Sequence, residues 1–327
     1  MGNRRKLLYK GGLLLDALTG ETIRRWKVAH QHIHPSECRV ELQALGAEDV
    51  TIAEDQEGIW VEEDGNKALL SAGPVKLPRF EGHPHASLLR VLHQELLVNI
   101  IPAGPVPNFL VYPKPWYRDG AMVCMCLKKT GNLHLVEGWI QGLREPFDRN
   151  NAGNCEPDNL GEALYMISLV SDAKHPAVQT ILDAVRRFRK DNHIVGITDG
   201  AEHPVYQTKW LKYGLRALGL DDPHEIPRVY DSYSALFWMD FRPEHVEGAH
   251  FSEKGRDLYP YLGWAEDHFY NRTSKITWTD GQYPVTWEAS ASKARYQGME
   301  MISSEFVDRR IAAPHTWHAA EMFLYLL

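Results

Sequence analysis

The hydrophobic period of this chain changes once, near residue 82, and does not change back. Before that point, short β-like runs alternate with turns. Val50-Thr51-Ile52-Ala53 and Gly58-Ile59-Trp60-Val61-Glu62 are examples, the second followed by the turn Asp64-Gly65-Asn66 and then Ala68-Leu69-Leu70. After Glu81-Gly82-His83-Pro84-His85 the spacing becomes helical. Leu88, Leu89, Val91, Leu92, Leu96, Leu97 and Ile100 make a broad apolar face. Further helical stretches fall at Gly120–Lys128, Leu133–Leu143, Leu160–Val170, Val178–Arg189, Tyr206–Leu218, Ser232–Met239, Leu258–Tyr270, Trp287–Met301 and Trp317–Leu327. This divides the chain into a β-rich region, 1–82, and a helical region, 83–327.

The links between these helices are long and crowded with Gly, Asn, Asp, Trp and Pro, and long loops in a compact domain usually carry function. A ring of helical hairpins with its loops gathered at one end fits that pattern. No G-x-G-x-x-G, Walker loop or strand–helix alternation is present, which disfavours a nucleotide-binding α/β fold.

Net charge is −7 over 327 residues, against a nucleic-acid partner. The basic start Met1-Gly2-Asn3-Arg4-Arg5-Lys6 is followed by Leu13-Leu14-Leu15, cut off by Asp16, and no run reaches membrane-spanning length. The four cysteines form neither a disulfide framework nor a zinc pattern. The expectation is a cytoplasmic protein without membrane or nucleic-acid partners. Its oligomeric state is not legible.

Ten Trp and fourteen Tyr, many beside Gly, Pro, Asp or Arg, suit a carbohydrate partner. The densest case is Lys114-Pro115-Trp116-Tyr117-Arg118-Asp119, where an Arg-Asp pair stands at a helix entrance. A carboxylate accepts from two hydroxyls, a guanidinium donates to sugar oxygens, and rings stack on C–H faces. Helix capping by Asp119 is the competing explanation.

Three other segments place acids at helix starts. Asp148 to Glu162 is a polar loop with Asp158 or Asn159 at a cap and Glu162 in the first turn. Thr198-Asp199-Gly200-Ala201-Glu202-His203 opens the helix that carries Trp210. Ser303-Ser304-Glu305-Phe306-Val307-Asp308 precedes Pro314-His315-Thr316-Trp317. A carboxyl desolvated among rings and other acids has a raised pKa, as a general acid needs. His30, His32 and His34 would share one face of a strand, and His315 and His318 lie one helical turn apart. No nearby acid completes the first set; Glu321 beyond the second permits a ligand face, but His315 reads first as a first-turn residue that makes a hydrogen bond, and no metal or cofactor is expected.

Trp116-Tyr117-Arg118-Asp119, followed by Ala121-Met122-Val123, resembles the Trp-x-Arg-Asp helix start of the glucoamylase-like six-hairpin glycosidases. The resemblance runs in islands from Val111 to Leu327. It implies an (α/α)6 barrel of helical hairpins and inverting hydrolysis of a short oligosaccharide or glycoside. Arg118 and Asp119 would hold the terminal sugar, with Trp116, Tyr117, Trp210, His203, His315 and Trp317 around it. Glu202 looks like the general acid, with Asp199 as its rival, and Glu305 like the general base. Glu266 and Glu288 stand in reserve as second carboxylate. A sugar-sensing barrel without catalysis, a phosphorylase and a polysaccharide lyase are the alternatives.

Overall fold

The computed structural model describes residues 2–46, 49–109, 112, 114–149, 153–229, 231, 267, 272–275, 287–288, 313–314 and 316–327. Eight strands come first. β1 (Leu7–Lys10), β2 (Leu13–Asp16) and β3 (Thr22–Arg25) form an antiparallel sheet in chain order. β4 (Val28–His34), β5 (Arg39–Ala44), β6 (Asp49–Glu54), β7 (Gly58–Glu63) and β8 (Asn66–Ala72) form a second, again in chain order. Alternation fixes its register: Leu42 faces Val50 and Ile52 faces Val61, while Glu41 faces Thr51 on the opposite side. The apolar side closes over Leu14 and Trp26. Asp64 and Gly65 both take positive φ, 51° and 70°, as a two-residue hairpin turn between β7 and β8 requires.

The helices are α1 (Ala86–Val98), α2 (Tyr117–Thr130), α3 (Glu137–Gln141), α4 (Asp158–Ser168), α5 (Pro176–Phe188), α6 (Pro204–Ala217) and α7 (Thr316–Leu326). Packing runs α1 on α7, α7 on α2, α2 on α4 and α4 on α6, with α5 against α4. Their shared core includes Leu89, Leu96, Val123, Leu164, Trp210 and Phe323. α4 and α6 touch backbone to backbone. A Cβ added at Gly161 would lie 2.1 Å from the Trp210 carbonyl carbon, and one at Gly214 would lie 2.4 Å from the Gly161 oxygen.

This architecture overturns the (α/α)6 barrel and makes the chain mixed α/β, with seven helices and several antiparallel sheets among the described residues. Periodicity fails where polar turns interrupt the helical region with short hairpins. β9 (Ile100–Ile101) pairs with β10 (Gly104–Pro105), β11 (Arg189–Lys190) with β12 (His193–Ile194), and β13 (Ile197–Thr198) with β14 (Ala201–Glu202). β15 (Trp287–Glu288) pairs with β16 (Ala313–Pro314), although the apolar spacing assigns Trp287–Met301 to a helix. The stretch Leu133–Leu143 divides into a 3-10 turn at Leu133–Leu135 and the five-residue α3. The helices expected at Ser232–Met239 and Leu258–Tyr270 lie outside the described residues, except Asp267.

Candidate active site

Four helices begin at one place, and carboxylates tie their first turns together. Each start leaves backbone N–H groups without intrahelical partners, and at α2, α6 and α7 acids remote in sequence supply acceptors. For α2, Asp148 Oδ2 accepts from the Tyr117 N–H at 2.6 Å. For α6, opened by Pro204, Asp231 Oδ2 accepts from the N–H groups of Val205 at 3.0 Å and Tyr206 at 3.1 Å. The other Asp231 oxygen lies 2.9 Å from His203 Nδ1. For α7, Asp119 Oδ1 accepts from the Thr316 hydroxyl at 3.0 Å and the Trp317 N–H at 3.2 Å.

Arg118, in the first turn of α2, is the hub. Its Nε donates to Asp158 Oδ2 at 3.0 Å, one Nη to Asp199 Oδ2 at 2.6 Å and the other to Glu156 Oε2 at 2.7 Å. Asp158 Oδ1 also accepts from the Thr198 hydroxyl at 2.7 Å, and Thr198 accepts from Gln207 Nε2 at 2.9 Å. Glu156 Oε1 accepts from the Asp199 N–H at 3.0 Å. The arrangement joins the starts of α2 and α4 to the β13–β14 hairpin and, through Gln207, to α6. Over the guanidinium sits the half-buried Trp317, its ring centre 5.6 Å from Arg118 Cζ. Trp116, also half-buried, packs against Tyr112 with ring centres 5.0 Å apart.

Three carboxylates around one guanidinium leave an excess of negative charge in a poorly hydrated place, so protons are retained there. Burial pushes the Glu156 carboxyl up to about 7, against the pull of Arg118 and with the push of Asp158. Burial, reinforced by the Asp158 charge, holds the Glu162 carboxyl well above the usual range. Glu162 Oε2 accepts from Asn159 Nδ2 at 3.1 Å, and Glu162 Oε1 accepts from the Tyr206 hydroxyl at 3.3 Å. Asp199 is different: its side chain is 48% exposed. It sits at the tip of the β13–β14 hairpin with φ +47°, followed by Gly200 at +85°, the left-handed pair that a tight hairpin turn selects. The site thus presents one solvent-facing carboxylate and, behind it on the same cation, one carboxyl that holds its proton to near neutrality.

The structure brings Arg118, Asp199 and Trp317 together and sends their neighbours elsewhere. Asp119 turns to α7. Glu202 is exposed at the far end of its hairpin, opposite Ile197. His203 is buried on Asp231. Trp210 is wholly buried among Tyr165, Tyr206 and Tyr213. The Tyr117 hydroxyl donates to the Glu145 carbonyl at 2.9 Å. Glu266, Glu305 and His315 lie outside the described residues, and Glu288 is placed only as part of β15.

The sequence assigns the Asp148–Glu162 loop mainly to capping, with its remaining residues as pocket lining, and singles out none of its acids for the site. The signal was there. Asp158 and Glu162 stand one turn apart on a helix whose next residues, Ala163 to Ile167, are all buried, and buried acids need partners.

Comparison with protein-family models, with curated proteins and with solved structures gave no match. With the mixed α/β architecture, this overturns the resemblance to the six-hairpin glycosidases. The Arg118-Asp119 dipeptide, which suggested it, is explained by its two separate partner sets within the fold. Among the described residues, no helix is long and apolar enough to cross a membrane, and no group of three His, Cys, Asp or Glu is placed to hold a metal ion.

Proposed function

We propose that this protein hydrolyses a glycosidic bond in a short oligosaccharide or glycoside, with Glu156 as general acid and Asp199 as the second carboxylate. The observation that carries the reading is the pairing of a carboxyl raised to about 7 with a half-exposed carboxylate on one guanidinium. Environments that separate two acids in this way divide the work of acid and base. Glu156 gives its proton to the leaving glycosidic oxygen as the bond to the anomeric carbon breaks. Asp199 takes a proton from the water that attacks that carbon. Arg118 fixes both acids, and the half-buried rings of Trp317 and Trp116 offer faces to sugar C–H groups. All four cysteines are unpaired, in keeping with a cytoplasmic setting as part of the same proposal.

Glu156→Gln and Asp199→Asn should each lower turnover of a responsive glycoside by about 10²- to 10⁴-fold, with unchanged circular dichroism. Exposed Glu202 serves as the control: Glu202→Gln should stay within about twofold of the parent. Parental turnover in either of the first two variants removes that residue from its role.

A second reading is a saccharide-binding protein without turnover. It is favoured by the engagement of Arg118, whose guanidinium is held by Glu156, Asp158 and Asp199 together and so fixes the cluster as a structural support beneath the Trp317 ring. Calorimetry with a sugar panel, beside a reducing-end assay, separates the two. Binding without product release selects the second.

A further inference from the structure

Between the N-terminal sheet and α1 lies a cleft of about 240 Å³, remote in sequence from the Arg118 cluster. Its walls carry Glu37, Glu54 and Asp55 on one side and Arg79, Arg90 and Gln94 on the other. The acids are already engaged. Glu54 is paired with Arg4 at 3.0 Å, and Glu37 with Arg39 at 3.6 Å. Asp55 Oδ1 accepts from the N–H groups of Glu57 at 2.9 Å and Gly58 at 3.0 Å.

The arginines are not so engaged. Among the described residues neither Arg79 nor Arg90 forms an ion pair. Arg90 reaches only the Ser87 hydroxyl, at 3.4 Å, and its buried Nε has no hydrogen-bond partner. A buried guanidinium N–H left unmatched is costly and calls for an acceptor. His93, also in the wall, adds no cation near neutral pH, because burial lowers it to about 4.

We propose that this cleft binds a small phosphate-bearing anion between Arg79 and Arg90. Two guanidinium forks on separate backbone segments, together with the Gln94 amide, offer more donors than the two oxygens of one carboxylate can receive. A phosphate group has the oxygens to take them, and its charge balances the two arginines. The volume admits the phosphate and a few further heavy atoms, so inorganic phosphate and a small phosphate monoester share the chemistry. Bound there, the anion joins the segment that follows β8, which carries Arg79, to α1, which carries Arg90 and Gln94.

Thermal melting at fixed ionic strength tests this, with inorganic phosphate, glycerol 3-phosphate and acetate as probes. The two phosphates should raise the melting temperature saturably and acetate should not; the tighter of the two phosphates identifies the source. Arg79→Gln and Arg90→Gln should each weaken phosphate binding at least about tenfold, and Glu156→Gln should leave it intact. Arg79 is exposed, so its variant keeps the test valid should Arg90→Gln fold poorly. An absent or non-saturable shift, an equal shift with acetate, or an unchanged shift in Arg79→Gln would each overturn the proposal.

Discussion

Arg118 is the residue on which the site depends, and its worth is largest when its partners are charged. Replacing it with Met leaves Glu156 and Asp158, both buried, without their cation. Breaking such an arrangement from one side costs about 3–5 kcal/mol. Urea unfolding of Arg118→Met should show a loss of that order near pH 8 and a smaller one near pH 5, where protonation relieves the repulsion. A loss independent of pH would mean that packing, and not charge, is what Arg118 supplies. The sequence showed Arg118 and Asp119 as a pair at a helix start, and the helix start is there. It did not show that adjacent residues on a helix point about 100° apart, so that one serves α4 and the hairpin while the other serves α7. Asp199-Gly200 was legible as a turn because of its residue types. That its carboxylate meets Arg118, 81 positions away, was not, since local spacing names a face and never the partner.

At the scale of elements, the helices that read clearly were those with a long apolar face. The apolar face expected from Leu88 lies on α1 (Ala86–Val98) as far as Leu97, with Ile100 beginning β9, and that over Val178–Arg189 lies on α5 at Pro176–Phe188. Trp287-Glu288 misled because aromatic and β-branched neighbours fit either period over a short run, and pairing with Ala313–Pro314 is a long-range choice. The α4–α6 contact is the element-level device that positions the cluster. α4 brings Asp158, α6 brings Gln207, and Gly161 with Gly214 lets the two backbones meet. Gly161→Ala should therefore destabilise the fold by about 3 kcal/mol or more, despite the better helix propensity of Ala. It should also lower activity in the population that stays folded. A neutral or stabilising result in chemical denaturation would refute the close approach.

For the whole molecule, the sheet region and the helices are sewn together at the start of the chain. The Gly2 N–H donates to the Leu97 carbonyl at 2.7 Å, and buried Lys6 donates to the carbonyls of Gly2 and Leu97. Burial lowers Lys6 from its ordinary 10.5 to about 8. Between those values the unfolded chain binds the proton and the folded chain does not, so stability rises with pH from about 8 to 10.5. Lys6→Met should flatten this rise in melting curves taken at successive pH values. An identical profile in the variant would place the titration elsewhere. The change of hydrophobic period near residue 82 falls in the link between β8, which ends at Ala72, and α1, which begins at Ala86. It gave no hint of how a lysine and a backbone amide join the two regions.

The shared cluster makes a further demand at this scale, because Glu156 couples folding to pH with the opposite sign. Its carboxyl is raised from 4.5 to about 7, so the folded state binds the extra proton. Its favourable contribution is fully present below 4.5 and is lost as pH rises through 7. Carbon-detected NMR of the glutamate side-chain carboxyls, assigned by Glu156→Gln, reads that proton directly. A midpoint near 7 that falls in Asp199→Asn, where a neighbouring negative charge is removed, is the expected result. A Glu156 midpoint near 4.5, unmoved by Asp199→Asn, would contradict the account.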